Sequence, residues 1–243
     1  MKRETPVRVT VIAILALAGL SSTQVAYAGT GSSSTSAGTV VVQFPDVVLD
    51  GSGLCFEAPI SAEATVKPRT EWFVSVKFRA PGTVPLSSTG RLNLLNSGET
   101  KGTIQICPSD GVGRMIVDGE FTTLEFEEPY TNAEADFTTD FTISRAPTAI
   151  ELKNIKITRG VTKITGKVTT ESKKYGTVTT YGDIIVQYQR AGSKSWKVLA
   201  KVPTGREGFE ATSAKALPRN TAVRILFSGN EFALSSSSVT RSN

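Results

Sequence analysis

The 243-residue sequence predicts an all-β protein: two consecutive antiparallel sandwiches behind a cleaved signal peptide. Three observations predict it. Short runs rich in β-branched and aromatic residues recur along the chain, several of them alternating apolar and polar. Clusters of Gly, Pro, Ser and Asp punctuate those runs. Past residue 28, no stretch sustains a 3.6-residue apolar period between helix caps. With 39% hydrophobic and 20% charged residues, the chain holds enough apolar material for packed cores and too much for disorder.

Residues 1–28 read as the signal peptide. Lys2, Arg3 and Arg8 form a basic start, Val9 to Leu20 an apolar stretch, and Ala26-Tyr27-Ala28 a small-x-small pattern that places the cut before Gly29. The apolar stretch is shorter than the roughly 20 residues a membrane span needs. No cysteine stands at the cut to take a lipid, and Leu234 to Asn243 is polar and Ser-rich. The expected localisation is therefore secreted and extracellular, with no membrane anchor after cleavage.

Residues 29–39 (GTGSSSTSAGT) are small and polar, so the expectation is a flexible lead-in. A first sandwich is expected over 40–145. Its strand-like runs are 40–44, 71–80, 102–107, 113–121 and 135–144. Within 72–78, Trp72, Val74, Val76 and Phe78 fall on one face, and Phe73, Ser75 and Lys77 on the other. Turn clusters separate the runs at Asp50-Gly51-Ser52-Gly53, Pro81-Gly82, Asn96-Ser97-Gly98 and Pro108 to Gly113. Ser144 to Thr148, with Pro147, marks the boundary. The pattern restarts over 146–243 with runs at 148–152, 163–170, 183–190, 195–202, 208–215, 221–229 and 232–240. Ile184, Val186 and Tyr188 share a face. Seven short strands in about 95 residues are the mark of a sandwich.

The second half resembles the bacterial immunoglobulin-like repeats of secreted actinobacterial proteins. The residues that carry the resemblance are Asp183–Arg190, then Ser195-Trp196-Lys197-Val198, Gly205 to Phe209, Ala222 to Asn230, and Phe232-Ala233 before the Ser-rich end. The first half resembles the disulfide-bearing sandwich that precedes such repeats. The resemblance implies two immunoglobulin-like domains and an extracellular, non-catalytic adhesive or structural role. Cys55, Trp72 and Cys107 follow the Cys…Trp…Cys order of true immunoglobulin domains, but Gln105 stands where a tyrosine corner would be, so the expectation is a sandwich and not an antibody-type domain. Both Trp72 and Trp196 are expected in the core.

Histidine is absent, which removes the Ser-His-Asp triad, the Cys-His dyad and the H-E-x-x-H zinc site together. Neither G-x-S-x-G nor S-x-x-K occurs, and no glycine-rich phosphate loop is complete. The expectation is a protein that is not an enzyme and takes no cofactor or metal. Cys55 and Cys107, the two cysteines of an exported chain, are expected to form a disulfide; they lack the C-x-x-C spacing of a redox pair.

Charge divides the chain. Residues 29–145 hold 8 basic and 15 acidic side chains, net −7, and residues 146–243 hold 16 and 6, net +10. Such asymmetry speaks of partners rather than of fold. Glu125, Glu127, Glu128, Glu134, Asp136 and Asp140 cluster as either a solvated surface or a calcium site. Lys153, Lys156, Arg159, Lys163, Lys167, Lys173, Lys174, Lys194, Lys197 and Lys201 lie among β-type runs, several on shared outward faces. They serve solubility and edge protection, or attract an anionic cell-surface polymer. No aromatic residues are interleaved as stacking platforms, so no specific nucleic acid is expected. The leading function is a secreted surface- or polymer-binding structural protein. A secreted inhibitor or ligand-binding protein acting through sandwich loops is the first alternative, and a carbohydrate-active enzyme using two carboxylates the second.

Overall fold

The structure is a computed structural model that describes residues 27–83, 95, 96, 98, 100–218 and 220–241. The signal segment lies outside the described residues apart from Tyr27 and Ala28. The first half forms β1 (Tyr27–Thr35), β2 (Gly38–Pro45), β3 (Val47–Val48), β4 (Phe56–Val66), β5 (Thr70–Arg79), β6 (Leu95–Asn96), β7 (Lys101–Ile106), β8 (Gly113–Glu125) and β9 (Thr131–Ser144). One sheet has the order β1-β2-β4-β7 and the facing sheet β3-β9-β8-β5-β6. Every pairing is antiparallel except that of β3 with β9, where Val47 lies opposite Ile143.

The second half forms β10 (Thr148–Thr158), β11 (Val161–Ser172), β12 (Gly176–Thr179), β13 (Gly182–Gln189), β14 (Lys197–Thr204), β15 (Phe209–Ser213), β16 (Ala222–Phe227) and β17 (Ser236–Arg241). In one sheet β11 has β10 on one edge and both β12 and β15 on the other; the second sheet runs β14-β13-β16-β17. The chain is thus two consecutive immunoglobulin-like sandwiches, and it crosses between them from Ser144 to Thr148.

Alternation of side chains builds both cores. In β5, Trp72, Val74, Val76 and Phe78 are buried as the period of two requires. They meet Val40, Val42 and Phe44 from β2 and Ala58, Ile60 and Ala62 from β4. Phe141 anchors the centre, stacked on Phe44 at 6.2 Å and edge-on to Phe78 at 5.7 Å. The second core is more aliphatic: Ile164, Val168, Ile184, Val186, Val223 and Ile225, closed by Phe209 and Phe227.

Residues 29–39 are not a flexible lead-in. Tyr27–Thr35 is an edge strand in register with β2, from Gly29 opposite Phe44 to Thr35 opposite Gly38. The first sandwich therefore begins well before residue 40. Small residues are the means of its packing rather than a sign of disorder. Gly31 lies so close to the Phe137 ring that a Cβ there would sit 2.4 Å from Cδ2, and a Cβ on Gly29 would overlap the Asp140 carbonyl. Ser33 Oγ donates to the Asp136 carbonyl at 3.0 Å, and the Thr35 and Thr123 hydroxyls are 2.9 Å apart. Glycine and serine let β1 lie directly on β9, where larger side chains would hold the sheets apart.

Two further differences concern strands. β4 is absent from the sequence reading because Pro59 interrupts it and its inward face is mostly alanine; Pro59 nevertheless sits opposite Thr103 in the ladder. The run at 232–240 starts as a turn, and the strand begins only at Ser236.

Candidate functional site

Three places were singled out by sequence: the cysteine pair, the acidic cluster and the basic half. The structure adds a fourth, the junction between the sandwiches. The turn Asp50-Gly51-Ser52-Gly53, between β3 and β4, inserts beside the β11–β12 hairpin. Asp50 is buried at 4% exposure. One carboxylate oxygen accepts from the Ser52 amide at 2.8 Å and from the Ser52 hydroxyl, an Asx turn. The other crosses to the second sandwich, accepting from the Lys173 amide at 2.8 Å and the Ser172 hydroxyl at 3.2 Å. Burial alone would push this carboxyl up. The hydrogen bonds from Ser52, Lys173 and Ser172 outweigh burial and hold it below the usual aspartate range.

Neighbouring contacts extend the junction. The Gly51 amide donates to the Glu171 carbonyl at 3.0 Å. A Cβ on Gly51 would lie 2.5 Å from both that carbonyl and the Thr170 hydroxyl oxygen. The Lys173 ammonium sits 3.9 Å from the centroid of the Phe56 ring. Phe232 packs on Gly53, and the Ala146 amide donates to the Phe232 carbonyl at 2.7 Å. Asn230 shapes that loop: its Oδ1 accepts from the Phe232 and Ala233 amides at 3.0 and 2.7 Å, and its Nδ2 donates to the Tyr181 carbonyl at 2.8 Å. The Gly-Asn turn before an aromatic residue, visible in the sequence, thus builds the second domain's half of the junction.

Cys55 and Cys107 are bonded. They stand just outside Phe56 and Ile106, the register partners that end β4 and β7. The bond therefore staples two neighbouring strands of one sheet, where an antibody-type domain joins its two sheets. Asp50 lies five residues before Cys55, outside the loop that the bond closes. The Cys107 amide donates to Asp110 Oδ2 at 2.7 Å, and burial holds the Asp110 carboxyl above its ordinary value despite that bond.

The acidic cluster is spread along the β8–β9 arm and much of it is ion-paired. Glu125 meets Lys67 at 3.3 Å and accepts from the Thr131 hydroxyl at 2.9 Å; Glu127 meets Arg69 at 3.2 Å; Asp140 meets Arg114. Glu120 and Asp136 lie opposite each other and line a shallow depression with Asp118, Ser75 and Lys77. Among the described residues, no group of three acidic or cysteine side chains is placed to hold a metal ion.

The basic half is only partly a continuous face. Lys163 and Lys167 share the outward face of β11, with Lys156 opposite Lys163 on β10. Glu151 stands opposite Lys167, however, and Glu210 bonds Lys163 at 2.6 Å. Lys173 and Lys174 lie at the junction end; Lys194 and Lys197 lie at the other.

Trp72 is in the core at 6% exposure, but Trp196 is not. It stands half-buried outside the second sandwich, 4.4 Å from the Arg224 guanidinium. Arg224 Nε also donates to Gln187 Oε1 at 3.0 Å. The sequence reading missed this because Trp196 precedes β14 instead of alternating within it. It also read Asp50 as a plain turn residue; the Asp-x-Ser spacing signals the Asx turn, but nothing local signals its partner 122 positions on.

No protein-family model matches the chain, and no curated protein matches it. Among solved structures, the chain is similar to the FN1–FN3 domains of chicken CNTN1, with 10% identity, coverage of 84% of this chain and 71% of that one, and a TM-score of 0.25. It is also similar to domains A168–A170 from titin, with 8% identity, coverage of 88% and 99%, and a TM-score of 0.24. Both likenesses are too loose to carry an argument, and the sandwich fold stands on the strand order and registers given above.

Proposed function

We propose that this protein is exported and works without catalysis, as a binding and structural module whose second sandwich holds an anionic polymer at a cell surface. The observation that carries the reading is the uneven neutralisation of charge. Among the described residues, four ion pairs fall in the first sandwich and one in the second, although the second half has twice as many basic residues as the first after residue 28. The first sandwich pairs half of its cations with its own acids. Among the described residues, the second has one such pair, which leaves its other cations to attract an external anion. The interlocked junction supports a structural role, since it presents the two sandwiches in a set orientation.

The test is a pull-down on cell-wall material across a salt series, together with the fraction of protein that sediments with cells at low salt. Retention at low ionic strength and release by about 0.2 M salt are expected, as counterion release requires. Retention indifferent to salt would overturn the electrostatic reading and favour a ligand held by the sandwich loops. Absence from the medium and from the cell surface alike would overturn export.

A further inference from the structure

We infer that the end of the second sandwich farthest from the junction is an anion-binding tip, and that it takes a chain of an acidic polysaccharide. This rests on the polymer-binding reading above and names the part of the domain that performs it.

The strand registers sort the charges by height. β13 starts at Gly182, beside the junction residues Tyr181 and Asn230, and ends at Gln189 on the far side. Glu171, Asp183, Glu207 and Glu231 all lie at the junction end. Glu151 and Glu210 lie mid-sheet, opposite Lys167 and Thr165. These six are all the acidic residues of this half, so the far end has none. Gathered there are Arg159 in the β10–β11 turn, Arg190 and Lys194 between β13 and β14, Lys197 at the start of β14, and Lys215 between β15 and β16. All five are exposed.

One hydrogen bond, and the charges acting on its acceptor, show that these loops converge. Lys215 Nζ donates to Tyr188 Oη at 2.6 Å, and Arg190 and Lys197 are close enough to act on the same phenol, which their charges help hold below its ordinary value after the Lys215 hydrogen bond itself. Lys156, on β10, stands directly opposite Lys163, whose own charge Glu210 meets. On the adjoining face, Arg224 is held by Trp196 and Gln187, with no carboxylate partner among the described residues. The tip is thus a cationic end, unopposed by acids, with one planar guanidinium already oriented beside it.

The occupant follows from what accompanies the cations. Binding nucleic acid by stacking needs successive open aromatic faces. Here the Tyr188 ring is buried with only its hydroxyl reaching Lys215, and Arg224 covers one face of Trp196. A polymer with closely spaced anions and no bases fits better: an acidic polysaccharide.

The experiment uses the full chain and a heparin oligosaccharide as the probe. Arg190→Glu, Lys194→Glu and Lys197→Glu are combined in one tip variant. Lys167→Glu, Lys174→Glu and Arg206→Glu make the same charge change nearer the junction. Binding is titrated from 50 to 200 mM salt. The tip variant is expected to bind at least tenfold more weakly, with a shallower salt slope by about three, one for each lost contact; the junction-end variant is expected to lose less than about threefold. Equal losses would overturn the tip while leaving polymer binding intact. No binding by the unmodified protein at 50 mM salt would overturn both. Tighter binding to single-stranded DNA of matched charge would overturn the polysaccharide as occupant. Should the triple variant unfold, Lys194→Gln alone, at an exposed loop position, must still weaken binding by about two- to threefold for the tip to stand.

Discussion

The Asp50 carboxylate of the first sandwich accepts a 2.8 Å hydrogen bond from the backbone amide of Lys173 in the second. An amide donor is not a side chain that can swing away, so the contact ties one backbone to another through a single buried carboxylate. Removing that carboxylate leaves the Lys173 amide and the Ser172 and Ser52 groups short of an acceptor. Asp50→Ala is therefore expected to destabilise the protein by about 3 kcal/mol, within the range for losing hydrogen bonds to a charged group. Denaturant unfolding checks this. A loss below about 0.5 kcal/mol would show that the junction contributes little. Gly51→Val, which forces side-chain atoms onto the Glu171 carbonyl and Thr170, is expected to act in the same direction.

The same carboxylate makes the junction acid-sensitive. Its folded pKa lies below the ordinary aspartate value. The stability it contributes is then complete above the unfolded pKa of about 3.9 and is lost as the pH falls through the lower folded value. Burial lowers the pKa of Lys173 from the ordinary lysine value, and the charge of Asp50 works against that shift. Comparing unfolding of the parent and Asp50→Asn from pH 7 to pH 2 should show their difference shrinking only below about pH 4. A difference that is constant with pH would refute the linkage.

Reduction of the Cys55–Cys107 bond should be felt in the first sandwich. Chain entropy assigns roughly 4 kcal/mol to a loop with this sequence separation of 52, before any native-state cost. Cys55 is two residues beyond Gly53, so the reduced protein is also expected to gain hydrogen-exchange rate at the Gly51 amide, which bonds Glu171. Unchanged protection there would show that the disulfide and the junction act independently.

Enlarging β1 should weaken the first sandwich. At Gly31 even one Cβ conflicts with the Phe137 ring, a buried core residue. Gly31→Leu is expected to cost about 2 to 3 kcal/mol by overpacking, or to release β1 from the sheet. Gly31→Ser at neutral cost, measured by thermal unfolding, would contradict the close approach.

Trp196→Ala should behave unlike a core aromatic. Loss of a buried tryptophan costs about 3 to 5 kcal/mol, whereas Trp196 forfeits a stacking contact with Arg224 worth about 1 kcal/mol. Unfolding of the two variants, Trp196→Ala and Trp72→Ala, side by side decides it: equal losses would return Trp196 to the core.

Much of the architecture is legible from side-chain periodicity. Trp72, Val74, Val76 and Phe78 face inward because a strand alternates, and Ile184, Val186 and Tyr188 do the same. The crossing near Pro147 and the sign change of charge are properties of the chain in order, so the sequence by itself determined an all-β chain in two halves of opposite charge. Tertiary structure alone decided the rest. β1 carries no β-type composition and becomes a strand because Gly29 and Gly31 fit against β9. Trp196 resembles a core residue until the position of Arg224 is known. Asp50 looks like any turn aspartate, and its partner Ser172 is 122 positions away. Local pattern records what each segment prefers, but which segments meet is set by packing over distances in sequence that no local preference spans. At the junction that packing gives one turn carboxylate its partners, and at the far end it brings the unopposed cations together.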